Sequence, residues 1–190
     1  MAPTLKSLFQ LIAPLSDELL NKIDEFLIVE NFRKGKVLLK EGQVSNFIYF
    51  IEKGFVRCYY KQGQKQVNAW FMEEGNIIIS VKSFFNQEKS HESIELLEDS
   101  TLHYISFDHL QYLYRNYVAF NIIGRVLTEK YYILSEERLY FMRQQKAEDR
   151  YKLLFSNYPQ IFERVSLSHI SSYLGVSLET LSRIRAKRII

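Results

Sequence analysis

Apolar and polar positions change rhythm several times along the chain. From about Ser16, which follows Pro14 as an N-cap residue, Leu19, Leu20, Ile23 and Phe26 recur at helical spacing and predict a short amphipathic helix. Between Asn31 and Asp108 the period shortens. Val37–Leu39, Phe47–Ile51, Phe55–Tyr60, Val67–Phe71, Ile77–Ile79, Ile94–Leu97 and Thr101–Ile105 are short runs of β-branched, aromatic and other apolar residues. Glycines at 35, 42, 54, 63 and 75 punctuate them. Many short strands with frequent turns predict a compact all-β barrel or roll.

After Asp108 helical spacing returns, first around His109–Asn116. Ile123, Leu127, Tyr131, Leu134, Arg138 and Phe141 then recur every three or four residues over about 118–142, with no proline and no glycine beyond Gly124. A stripe of that length predicts a coiled-coil-like seam with a partner surface. A helix packed on its own β domain is the alternative. A further helix is expected from near Ala147 to just before Tyr158–Pro159, because proline disfavours helix in the residue preceding it.

The closing run 167–188, LSHISSYLGVSLETLSRIRAKR, carries the most information. Ile170, Leu174, Val176, Leu181 and Ile184 are the positions that two short crossing helices bury between them, and Ser171 is small where they approach most closely. Gly175 takes the turn, where a left-handed backbone costs glycine little. Ser177 follows as the N-cap of a second helix, and Glu179 sits where the helix dipole favours a carboxylate. On that helix Glu179 and Arg183 share a face, four residues apart, opposite Leu181 and Ile184. This is the pattern of a helix-turn-helix. An arginine in the major groove donates two bonds to guanine, a carboxylate accepts from cytosine, and Leu178 is placed for a thymine methyl. Ser177, Thr180, Ser182, Arg185, Lys187 and Arg188 are the accompanying candidates for DNA contact. An amphipathic hairpin whose Glu179 and Arg183 form a surface ion pair is the plainer alternative.

Charge agrees with that placement. The net charge of +3 is too small to argue for nucleic acid by itself, but nine Arg and Lys against four acids lie from Arg143 onward. The basic excess therefore sits with the helix-turn-helix, as phosphate neutralisation requires. Cys58 is the only cysteine, so neither an internal disulfide nor a thiolate-held cluster can form within one chain. No metal, haem or iron–sulfur cofactor is expected, and His91, His103, His109 and His169 make no axial-ligand pattern. There is no metal-ligand spacing, nucleophile elbow or phosphate-binding glycine loop, so catalysis is not expected. No basic-then-apolar leader and no apolar run of membrane length is seen, which leads to the expectation of a soluble, cytoplasmic protein without a membrane partner.

In this order of elements the chain resembles the Crp/Fnr family of bacterial transcription regulators, over essentially its whole length. In the β region the resemblance rests on Lys34-Gly35, Leu38, Gly42, Tyr49-Phe50-Ile51, Gly54, and Val56-Arg57 through Gly75. Near the C-terminus it rests on Gly175-Val176-Ser177, Glu179-Thr180-Leu181 and Arg183-Ile184. It implies an α+β protein: an N-terminal cyclic-nucleotide-binding-like β-roll, jelly-roll-like, then a long dimerisation helix and a small all-α helix-turn-helix domain. The domains are expected at 1–142 and 143–190. The resemblance implies base contacts for Glu179 and Arg183 on a recognition helix at 178–188. It also implies a homodimer interface at Ile123, Leu127, Tyr131, Leu134 and Arg138. Double-stranded DNA and a second copy are the implied partners, with RNA polymerase a further candidate.

Three departures qualify it. Family members that bind cyclic AMP carry a Gly-Glu pair and a later arginine for the ribose and cyclic phosphate. Here the matching positions are Ile79-Ser80 and Ser90 or His91, so cyclic AMP is not the expected ligand. Any other effector is expected to meet Ile79, Ser80, Val81, Ser90 and His91. The arginine often found before the glutamate is Leu178, and a chain ending at Ile190 is expected to do without the family's β wing. The competing reading is an effector-binding roll whose helix-turn-helix has lost sequence-specific binding.

Overall fold

The computed structural model describes residues 4–144 and 146–187. The chain begins with helix α1 (Leu5–Ile12), capped by Thr4, whose hydroxyl accepts from the Ser7 amide. This helix adds to the elements expected from the sequence, although Leu5, Phe9 and Ile12 are helically spaced. Helix α2 (Asp17–Phe26) follows, with Ser16 as its N-cap and Asp17 and Glu18 in its first turn.

Eight strands come next: β1 (Ile28–Phe32), β2 (Val37–Leu39), β3 (Phe47–Lys53), β4 (Val56–Gln62), β5 (Lys65–Met72), β6 (Ile77–Ile78), β7 (Glu92–Leu96) and β8 (Ser100–Ser106). They form two four-stranded sheets, ordered β1-β8-β3-β6 and β2-β7-β4-β5, which is the expected roll. β1 was not foreseen because four of its five residues are exposed, leaving no apolar alternation to read. A short helix, α3 (Val81–Asn86), interrupts the strands between β6 and β7.

Alternation along the first sheet decides what it covers. Phe50 and Ile105 turn to the helices and join Leu19, Ile23, Leu110, Leu113, Phe120 and Ile123 in one apolar core. Ile51, paired with Leu102, faces the other way, and both are fully buried. The β3–β4 turn needs its glycine. Gly54 has φ +115°, and a Cβ there would lie 2.9 Å from the Ser100 backbone.

The helical part comprises α4 (Phe107–Asn116), α5 (Val118–Gln144), α6 (Ala147–Asn157), α7 (Ile161–Arg164), α8 (Leu167–Leu174) and α9 (Leu178–Ala186). α5 runs 27 residues, close to its expected span. The single turn α7 is too short to announce itself by periodicity. By contacts the chain divides into two units: residues up to Cys58 with Phe71–Lys130, and Tyr59–Trp70 with everything from Tyr131.

Candidate nucleic-acid interface and effector site

Helices α8 and α9 build the proposed DNA-reading surface from the residues singled out in the sequence. Ile170, Leu174 and Leu181 are fully buried, and Ile184 and Ser171 nearly so. The Ser171 hydroxyl is satisfied by the Ser168 carbonyl at 2.9 Å, so its burial leaves no orphan donor. Gly175 adopts the left-handed conformation, φ +66°, ψ +38°.

The end of α8 accounts for all four carbonyls that a helix C-terminus leaves free. Val176 N–H donates to Ser171 at 3.0 Å and Gly175 N–H to Ser172 at 3.1 Å, the two bonds of a Schellman turn. Arg138 Nη2 donates to the Tyr173 carbonyl at 2.5 Å, and Arg150 Nε to the Leu174 carbonyl at 2.9 Å. Two cations thus sit at the negative end of the helix dipole. Nothing in the local sequence advertises this, because Arg138 and Arg150 are remote from the turn in the chain.

A second brace comes from the β4–β5 hairpin, whose tip belongs to the same unit. Asn68, 2% exposed, donates its backbone N–H to Ser172 Oγ at 3.0 Å and its side-chain amide to the His169 carbonyl at 3.2 Å. Ser172 Oγ in turn donates to the Gln66 carbonyl at 3.1 Å. The first helix of the motif is therefore fixed on more than one side.

The second helix begins at Ser177, whose hydroxyl accepts from the Thr180 amide at 3.0 Å and donates to Thr180 Oγ1 at 2.9 Å. Beyond the cap, α9 has one buried and one open face. Leu178, Glu179, Ser182, Arg183 and Lys187 are exposed, as is Ser177, while Thr180 is half-buried. Glu179 and Arg183 lie 3.9 Å apart, with side chains 82% and 69% exposed. An ion pair that long and that wet holds neither side chain in place. Both remain available to a ligand. Arg188 falls outside the described residues.

The candidate effector segment is arranged differently. Ser80 and Ser90 are buried and share a hydrogen bond of 2.9 Å, and Ser90 Oγ also donates to the Glu92 carbonyl at 2.8 Å. Val81 opens α3 in solvent, His91 is exposed, and Ile79 packs against the helical core. Arg57 is directed inward. Its Nε and Nη2 donate to Glu95 Oε2 at 2.9 and 2.6 Å, and its side chain is 5% exposed. Next to it in sequence, the Cys58 thiol donates to Glu92 Oε2 at 2.9 Å, and burial pushes that thiol well above the ordinary cysteine range.

Of the residues assigned to the dimer interface, Ile123 is buried in the core of its own chain and Leu127 packs on that core. Arg138 sits over Tyr173 within its own unit, and Tyr131 and Leu134 are half-buried. The exposed apolar side chains of α5 are instead Val118, Ile122, Tyr132, Ile133, Leu139 and Tyr140. Among the described residues no group of three or more His, Cys, Asp or Glu is placed to hold a metal ion. No helix among them is long and apolar enough to cross a membrane.

The architecture is thus two sheets closed into a roll, a long helix and a capped helix-turn-helix. Residues 29–117 match the family model of the cyclic nucleotide-binding domain. The chain is similar in structure to FixK2 from Bradyrhizobium japonicum, with a TM-score of 0.71 and 17% identity over 85% of this chain and 83% of that one. It is also similar to CLP, a c-di-GMP responsive global regulator from Xanthomonas campestris, with a TM-score of 0.69 and 15% identity over 90% and 91%. A protein described as a transcriptional regulator of the crp/fnr family from Eubacterium rectale gives a TM-score of 0.70 and 14% identity over 92% and 84%. No curated protein matches the chain in sequence. The chain shares the fold of these solved structures.

Proposed function

We propose that the protein is a sequence-specific DNA-binding transcription regulator that works as a homodimer on a roughly palindromic site. The observation that carries this reading is the two-faced helix α9. Leu181 and Ile184 are spent on the core, while Leu178, Glu179, Ser182 and Arg183 are left in solvent behind a preformed cap and turn. That is the division of labour a helix needs to enter the major groove with its N-terminal half. Arg183 and Glu179 read bases, Leu178 meets a thymine methyl, and Ser177, Thr180, Ser182 and Lys187 position the helix on phosphates.

The dimer forms along α5. Tyr131 and Leu134 contribute with the exposed Ile133 and Tyr140, whereas Ile123 and Leu127 support the helix from its own domain. Cyclic AMP is not the effector. The hydroxyls of Ser80 and Ser90 are used on each other, and Arg57 is held by Glu95 rather than standing free for a phosphate.

Selection of bound sequences from a random duplex pool, with and without cyclic AMP, tests the reading. The expected result is an inverted repeat with half-sites about 34 Å apart. Its affinity falls steeply with salt and is unchanged by the nucleotide. A pool that never converges, or binding without salt dependence, overturns it.

A further inference from the structure

An open pocket of about 490 Å³ lies between β1 and β2, the terminal strands of the two sheets, and none of the residues from Ile79 to His91 lines it. Its size falls within the roughly 300–1,000 Å³ of small-molecule sites. One wall is aromatic. Tyr104 stands opposite Tyr49 in the β3–β8 register, their ring centroids 5.3 Å apart, with Phe47 5.3 Å and Phe32 6.4 Å from Tyr104.

The polar groups around this wall are unevenly used. Tyr49 is 8% exposed, and its hydroxyl, which makes no hydrogen bond among the described residues, is open to solvent rather than sealed in the core. Burial pushes that phenol up to about 12, so it stays protonated and able to donate at neutral pH. Lys36 and Lys40 border the same pocket in solvent, and neither ammonium has a partner among the described residues. The lining carboxylate, Glu30, already accepts from the Tyr104 hydroxyl at 2.7 Å. A phenol hydroxyl left to solvent and two exposed lysines therefore line the same pocket as a face of aromatic rings.

We propose that this pocket binds a small planar aromatic carboxylate, its ring against Tyr49, Tyr104 and Phe47 and its carboxylate held by Lys36, Lys40 and the Tyr49 hydroxyl. Stacking selects a flat unsaturated body, which an aliphatic acid lacks. The lysines select the anion over a neutral or cationic ring, because charge-assisted bonds are the stronger kind. The site is separate from the segment between β6 and β7 and does not depend on DNA binding.

The full-length protein is titrated with 2-naphthoate, followed by calorimetry and by the anisotropy of the ligand's fluorescence. One saturable site per chain is expected, with 2-naphthamide bound roughly tenfold more weakly. Lys36→Gln with Lys40→Gln weakens the carboxylate by about tenfold without moving the melting temperature, since both side chains are exposed. Tyr49→Phe weakens it about threefold to tenfold. Absence of saturable binding, equal affinity for acid and amide, or unchanged affinity in the double lysine variant overturns the proposal. So does loss of binding on His91→Ala with the lysine variant unaffected, which places the ligand elsewhere.

Discussion

The guanidinium of Arg138 lies over the ring of Tyr173, 3.6 Å from its centroid, while the same group donates to the carbonyl of the same residue. One arginine thus meets both faces of a need: a ring to cover and a helix end to satisfy. Its Nη1 is buried without a partner among the described residues, so the contact is not ideal. Arg138→Ala is expected to destabilise the protein by about 1–3 kcal/mol in urea unfolding. Arg138→Lys should recover little, because an ammonium cannot both stack and donate in a fixed fork. Full recovery by lysine shows that charge alone matters here.

Gly175 sits in the left-handed region, and a Cβ on it would come within 3.0 Å of the end of the Met142 side chain. Methionine can yield, so backbone strain dominates. Gly175→Ala should cost about 1–2 kcal/mol and Gly175→Asn less. Equal stability of all three proteins in thermal unfolding removes the Schellman turn from the account.

Arg183→Ala should weaken binding by about 1–3 kcal/mol at one base pair of each half-site and relax the preference there. Lys187→Ala should weaken all sequences alike and lower the salt slope by about 1. Competition assays on single-base variants of the selected site separate the two. A uniform loss in the arginine variant assigns Arg183 to phosphate.

Ile133 and Tyr140 are exposed on α5 and seven residues apart, one repeat of a coiled-coil stripe. Ile133→Asp with Tyr140→Asp should convert a sedimenting dimer to a folded monomer. A dimer that survives both changes places the seam on another face of the helix.

Asp99 fastens the β1–β2 turn, with Oδ1 accepting from the Lys34 amide at 2.8 Å and Oδ2 from Arg33 at 2.8 Å. The backbone bond first, and the arginine second, hold its carboxyl below the ordinary aspartate range. Its contribution is therefore complete above an unfolded pKa of about 4 and is lost as pH falls through the lower folded value. Asp99→Asn should flatten the acid limb of the stability profile measured by urea melts between neutral and acidic pH. Arg33→Ala should alter it little, since that side chain is 92% exposed.

What could be read from the sequence was local. Gly175, Ser177 and the buried set Ile170, Leu174, Leu181 and Ile184 all lie within one turn-sized window, so spacing alone reveals the motif. The long helix and most strands were legible for the same reason. β1 was not, because an exposed edge strand takes its conformation from pairing with β8. The partition of α5 also escaped: periodicity finds an apolar stripe, but Ile123 spends it on the chain's own core. The inward direction of Arg57 depends on the approach of Glu95 from another strand, which spacing along the chain does not reveal. The Tyr49–Tyr104 wall and the Asn68 brace are likewise products of register and long-range contact.

That brace bears on how the protein can be taken apart. Because Asn68 and Gln66 bond to His169 and Ser172, and Arg138 to Tyr173, a fragment cut after residue 142 would carry the recognition helix without the hairpin and arginine that steady its partner. The unit that holds the helix-turn-helix is discontinuous in the sequence. A chimera that transplants it must carry residues 59–70 as well as the chain from 131 onward, a requirement that resists simple recombination at the C-terminus.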